Sequence, residues 1–174
     1  MDSVPTIVIT GFMGTGKTAV AKSLAKQLGV AIIDLDRFIT EGTGRTPAQI
    51  IAQDGEQAFR TIETKALTDI VRAGRAGVIA LGGGAWIEET NRTVIEEHKC
   101  LAVWLDTPFA ECWKRIQSSG EDRPLGRTEQ QARDLFERRR PVYQLATLHV
   151  EVLSDETAPE LATRIKAKLA MFDT

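Results

Sequence analysis

An α/β three-layer sandwich, a parallel β-sheet with helices on both faces, is the fold the sequence predicts, and three observations predict it. Apolar runs of strand length alternate with segments of helical period along the whole chain. A glycine-rich turn interrupts the first strand-to-helix junction. Later strands run into acids or glycines, and open parallel sheets gather their ligands at those carboxyl ends.

The elements follow in order. Ile7–Thr10 is a β-branched apolar run and predicts the first strand, followed by a helix that begins near Lys17 and covers Ala19–Leu28. Val30–Ile33 predicts a second strand, with helical material after it to about Arg72, including a helix over Glu56–Arg72. Val78–Leu81 is the third strand, a helix lies near Glu88–Glu97, and Leu101–Leu105 is the fourth strand. A helix from Pro108 to about Ile116, a strand near Leu148–Leu153 and an amphipathic helix over Ala158–Met171 complete the chain. Residues 117–127 are polar and rich in Gly and Ser, which predicts a mobile loop, a lid. With no internal repeat and no low-complexity linker, residues 1–174 form one expected domain.

Composition narrows the function classes. Lys plus Arg number 22 against 24 Asp plus Glu, so a net charge of −2 gives no general attraction to nucleic acid or to an anionic membrane. The first residues, Met1-Asp-Ser-Val-Pro5, lack a basic segment followed by an apolar one, and no run of about 18 apolar residues occurs. A soluble cytoplasmic protein is expected. Cys100, in an expected strand, and Cys112, in an expected helix, lack metal-ligand spacing and are expected to be structural thiols.

The first junction carries the strongest chemical signal. Gly11-Phe-Met-Gly-Thr-Gly-Lys-Thr18 is a complete GxxxxGK[ST] phosphate loop. Its glycines let backbone N–H groups turn inward around phosphate oxygens, and the following helix presents its positive end. A bound nucleoside triphosphate would contact Gly14, Thr15, Gly16, Lys17, Thr18 and Ala19, with Lys17 reaching the β and γ phosphates and Thr18 holding Mg²⁺.

The other strand ends supply candidate partners. Asp34 and Asp36 would point to the same side if the extended conformation persists, one serving a metal ion and the other accepting a proton from an attacking hydroxyl. Asp36 also suits a helix N-cap before Arg37-Phe38-Ile39. Asp106 is a rival metal acid, although Thr107-Pro108 after it suits a helix start and favours a capping role. Gly82, Gly83 and Gly84 end the third strand, where backbone must approach something closely and where N–H groups could bind an anionic oxygen.

Arginines complete the set. On the helix over Glu56–Arg72, Phe59, Ile62, Ala66 and Ile70 form an apolar stripe that includes Glu63, with Arg60 at its edge. Glu63 would hold the Arg60 fork for a substrate carboxylate, unless the two form only a structural pair with Glu56. Arg139 falls on the face defined by Ala132, Leu135, Phe136 and Tyr143, while Arg138 and Arg140 point about 100° to either side. Pro141 is expected to kink or end that helix. In the lid, either Arg123 or Arg127 could reach the transferring phosphoryl group.

Taken together, these segments resemble the shikimate kinase family over nearly the whole chain. The resemblance rests on the phosphate loop, Asp34-Leu-Asp36, Gly55-Glu-Gln-Ala-Phe-Arg-Thr-Ile-Glu63, Leu81-Gly-Gly-Gly84, Arg123-Pro-Leu125 and Arg139-Arg-Pro-Val-Tyr143. Gln144-Leu145 departs from the charged residues more usual after that tyrosine. The resemblance implies a nucleoside-monophosphate-kinase-like P-loop fold with a five-stranded parallel sheet, and ATP-dependent phosphorylation of the shikimate 3-hydroxyl on the route to chorismate. It implies Mg²⁺ near Asp34, the reacting hydroxyl at Asp36, and shikimate held by Arg60, Arg139 and the turn of Gly82, Gly83 and Gly84. It further implies Arg115 against adenine and Arg123 at the phosphates, thereby favouring Asp34 over Asp106 and Arg123 over Arg127. A monomer acting on shikimate and ATP, with no nucleic-acid or membrane partner, is the expectation. The rivals are a gluconate or nucleoside monophosphate kinase and a nucleotide-dependent regulatory module.

Overall fold

The computed structural model describes residues 5–120 and 127–171. Five strands, β1 (Ile7–Thr10), β2 (Ile32–Asp34), β3 (Val78–Ala80), β4 (Leu101–Asp106) and β5 (Leu148–Glu151), form one parallel sheet in the order β2-β3-β1-β4-β5. The central strand β1 is buried on both faces, which is why Ile7, Val8 and Ile9 are apolar in succession rather than alternating with polar residues. Ile7 and Ile9 point to one face with Val78, Ala80, Val103 and Val150, and pack against α1 (Lys17–Leu28) and α8 (Ala158–Leu169). Val8 points to the other with Ile79, Ala102 and Trp104, against α2 (Leu35–Thr43), α4 (Glu56–Arg72), α6 (Phe109–Ser119) and α7 (Glu129–Tyr143). These are the expected three layers.

Several boundaries differ from the expectation for local reasons. β2 begins at Ile32 because the Val30 N–H is drawn back to Ala25 O of α1, at 3.0 Å. The helical stretch to Arg72 is three helices: Gly44 breaks it at φ 71°, and Thr46 starts α3 (Pro47–Asp54) with a capping box. Cys100 lies before β4 rather than in it, since its N–H closes α5 (Glu89–Glu97) onto Ile95 O. Gln117–Ser119, expected as loop, are the last residues of α6, and residues 121–126, which include Arg123 and most of the expected lid, lie outside the described residues. α7 continues through Pro141 to Tyr143. β5 and α8 end earlier than expected, at Glu151 and Leu169.

Candidate active site

The phosphate-loop side of the site is made of backbone. Gly14 and Gly16 take φ of 77° and 89°, which turns the chain between β1 and α1, and no side chain caps the helix, so its first N–H groups face the turn. Lys17 folds across this turn, its Nζ donating to Gly11 O and Phe12 O at 2.8 Å each. Buried Thr15 donates its hydroxyl to Phe12 O. Helix α6 braces the loop from below: a Cβ at Gly14 would meet Cys112 O at 2.6 Å, and Arg115 donates to Gly14 O at 3.3 Å and Thr15 O at 3.0 Å. Burial pushes the Cys112 thiol above its ordinary pKa, and both cysteines are free and buried. They are packing residues.

At the end of β2 the chain turns at once into α2, so the extended alternation expected for Asp34 and Asp36 does not persist. Asp34, not Asp36, is the N-cap, accepting Arg37 N–H at 3.1 Å through Oδ1. Its Oδ2 accepts the Thr18 hydroxyl at 2.5 Å, bringing a hydroxyl and a carboxylate together at the foot of the phosphate loop. Hard oxygen donors of this kind suit Mg²⁺. Asp36, in the first turn of α2, reaches the strand end from the side: a Cβ at Gly82 would stand 2.7 Å from its Oδ1.

Asp106, expected to cap, does not cap α6. Its Oδ2 takes Arg140 and His149, each at 2.9 Å, and Pro108 is the N-cap of α6. His149 stacks on Trp104 with centroids 4.2 Å apart. This cluster ties α7 to the ends of β4 and β5.

Beyond the glycine turn, charge is held in place. Arg60 and Glu63 are both buried, with Nη1 of Arg60 donating to Oε2 of Glu63 at 2.7 Å. Glu56 and Glu88 approach the same guanidinium at 3.3 and 3.7 Å from the solvent side. Burial pushes the Glu63 carboxyl up to about 7 against the pull of Arg60. Burial works against the Arg60 charge too, and Glu63 and Glu56 outweigh it, holding the guanidinium above its usual pKa. Gly84 lies directly under this fork, where a Cβ would strike Nη2 of Arg60.

Arg139 is buried on the inner face of α7, while Arg138 is exposed and Arg140 is engaged with Asp106. A Cβ at Gly83 would lie 3.9 Å from Nη1 of Arg139. The two arginines therefore meet at the glycine turn. A cleft of about 530 Å³ is lined by Gly14, Gly16, Lys17, Thr18, Ala19, Asp34, Asp36, Gly82, Gly83 and Arg115. Phosphate loop, acids and the first two glycines of the turn thus share one space; Arg139 reaches it only beside Gly83, and Arg60 and Gly84 lie beyond its lining.

A family model for shikimate kinase matches residues 13–170. The chain belongs to the shikimate kinase family. It is 40% identical over 168 residues to the shikimate kinase of Cereibacter sphaeroides, covering 95% of this chain and 82% of that one. Identity to the Thermobifida fusca shikimate kinase is 39% over 173 residues, covering 97% and 96% of the two chains. Among solved structures, shikimate kinase from Acinetobacter baumannii in complex with shikimate superposes with a TM-score of 0.89 at 34% identity, over 99% of this chain and 96% of that one. A gluconokinase from Sinorhizobium meliloti, at 18% identity and a TM-score of 0.61, shares the fold alone. As a shikimate kinase the chain is a phosphotransferase that uses ATP, on a nucleoside-monophosphate-kinase-like P-loop fold.

Three residues near the glycine turn escaped sequence reasoning. Tyr143 donates its hydroxyl to Gly83 O at 2.5 Å, Trp86 donates Nε1 to Val142 O at 2.9 Å, and Glu88 leans toward Arg60. Only the helical face that Tyr143 shares with Arg139 hinted at any of this.

Proposed function

We propose that this shikimate kinase transfers the γ-phosphoryl of ATP to the 3-hydroxyl of shikimate with the residues gathered around the central cleft. The reading is carried by one juxtaposition: the phosphate loop opens onto Asp36, and Asp36 abuts a turn overlooked by two buried arginines. The loop N–H groups and Lys17 hold the triphosphate, and Arg115 lies against the adenine end. Arg60, Arg139 and the N–H groups of Gly83 and Gly84 hold the acceptor, its carboxylate toward the guanidiniums. Asp36 orients the 3-hydroxyl and accepts its proton as the oxygen bonds to the γ-phosphorus. The bond from that phosphorus to the β–γ bridging oxygen breaks, and ADP leaves. Lys17 and Arg123 offset the negative charge on the phosphoryl oxygens. Thr18 and Asp34 would hold Mg²⁺, which supplies charge neutralisation at the phosphates when bound.

The same reading has a single domain working as a monomer in the cytoplasm, without nucleic-acid or membrane partners. Among the described residues no helix is long and apolar enough to cross a membrane. The test is to supply ATP and Mg²⁺ to the purified protein with shikimate, gluconate or nucleoside monophosphates in turn. ADP release that depends on shikimate, with a phosphoester at the 3-oxygen by phosphorus NMR, is the expected result. Preferential transfer to another acceptor, or ATP hydrolysis indifferent to all of them, would sink it.

A further inference from the structure

None of Gly82, Gly83 and Gly84 has a positive φ, so their backbone angles are open to other residues. What demands glycine is space, because a Cβ at Gly82 would meet Asp36 and one at Gly84 would meet Arg60. Consecutive residues without side chains leave the peptide planes between them easy to rotate. The plane joining Gly83 to Gly84 matters most. In a trans peptide the carbonyl and the N–H point in opposite directions, so whatever holds Gly83 O decides where the Gly84 N–H points. Among the described residues, neither the Gly83 nor the Gly84 N–H donates to a backbone carbonyl. The group that holds Gly83 O is the hydroxyl of Tyr143, at 2.5 Å, from a buried side chain one helical turn beyond Arg139 on α7. Trp86 makes a second tie between the same two elements, but to Val142 O, outside the turn.

We propose that Tyr143 is a positioning residue for the acceptor: its hydroxyl locks the Gly83–Gly84 peptide so that the Gly84 N–H faces shikimate in fixed register with Arg139. The inference rests on the acceptor site described under Proposed function. It explains how a turn emptied of side chains for Asp36 and Arg60 still presents a defined donor. The hydroxyl remains a donor across neutral pH, since burial pushes the phenol up to about 12 against the pull of Arg139.

Tyr143→Phe removes one oxygen and keeps the ring. The KM for shikimate is expected to rise about fivefold, as for loss of one buried hydrogen bond, while kcat and the KM for ATP stay within about twofold. An unchanged shikimate KM overturns the proposal. Trp86→Phe cuts the neighbouring tie and should lower the melting temperature without raising that KM. If both variants raise it alike, Tyr143 is only part of a structural staple and the proposal falls. Should Tyr143→Phe fail to fold, a second measurement is available because Tyr143 is the chain's single tyrosine. Tetrafluorotyrosine incorporated at that one position ionises several pH units below tyrosine, enough to offset the upward push of burial, and a phenolate cannot donate to Gly83 O. The shikimate KM of the fluorinated protein should climb with pH relative to the native one. The charged and titratable groups around the ring are Arg139, which also hydrogen-bonds the hydroxyl, Arg60 and Cys112, and all three are present in both proteins. Superimposable pH profiles overturn the proposal. Arg139→Lys, measured alongside, separates the two levels: if it leaves the shikimate KM unchanged, the acceptor site is misplaced. If it raises that KM while Tyr143→Phe does not, only the role of Tyr143 fails.

Discussion

The two halves of the cleft are built by opposite means. On the donor side one contiguous segment, residues 11–18, turns backbone N–H groups inward, and its side chains mostly brace the turn. On the acceptor side α2, α4 and α7 contribute side chains and the glycine turn its backbone, with Arg60 held by Glu63 and the turn held by Tyr143. Backbone recognition suits a triphosphate, whose many equivalent oxygens accept any well-aimed donor. A small acid with one carboxylate and one reacting hydroxyl needs fixed charges at fixed separations. The donor side should therefore tolerate change at the acceptor side, and single substitutions there should separate the two.

The largest separation is expected from Asp36→Asn. Loss of a general base lowers turnover by about 10²–10⁴-fold, while ATP affinity, measured by nucleotide titration, is retained. A parallel loss of ATP binding would break the division between the halves. Gly82→Ala comes next. The new methyl would push the Asp36 carboxylate aside, and a displacement near 1 Å costs up to about 10²-fold in turnover. The backbone angles there accept alanine, so thermal unfolding should show stability kept; an unfolded variant would make the constraint structural.

Arg60→Ala should weaken acceptor binding by about 1.5–3 kcal/mol, the worth of a charge-assisted contact, roughly ten- to hundredfold in shikimate KM. An unchanged value would return Arg60 to a purely structural pairing with Glu63. The smallest effect concerns Glu63→Gln and pH. Glu63 has its folded pKa raised from 4.5 to about 7, so the stability associated with its neutral form is complete below 4.5 and is lost as pH rises through about 7. The glutamine variant lacks this titration. Its melting temperature should gain on the wild type across that window, and parallel curves would place the Glu63 ionisation elsewhere.

How much of this was legible depended on sequence distance. The phosphate loop and the strand-helix alternation are local patterns, and the fold followed from them. Arg60 with Glu63, and Arg139, were visible because a helical wheel shows a charge on an apolar face without knowledge of what it meets. Asp34 and Asp36 were seen as a pair, but the immediate start of α2 at Leu35 was not, because capping by a strand-ending aspartate looks like extended chain until the Arg37 N–H turns back to it. Asp106 was misjudged because its partners, Arg140 and His149, lie 34 and 43 residues away. Tyr143 and Gly83 are 60 apart. Contacts of that range are fixed by the stacking of α7 over the sheet, which no local pattern encodes.

Arg60 already has company on its solvent side, from Glu56 and Glu88, whose side chains are 47% and 42% exposed. On the reading proposed above, an arriving carboxylate would trade places with resident ones instead of filling an empty positive hole. In such an exchange the guanidinium never stands bare, and ionic strength acts on the departing acids as well as on the newcomer. Selectivity at this end of the cleft then turns on which anion reaches the fork in better geometry, more than on the bare pull of opposite charge.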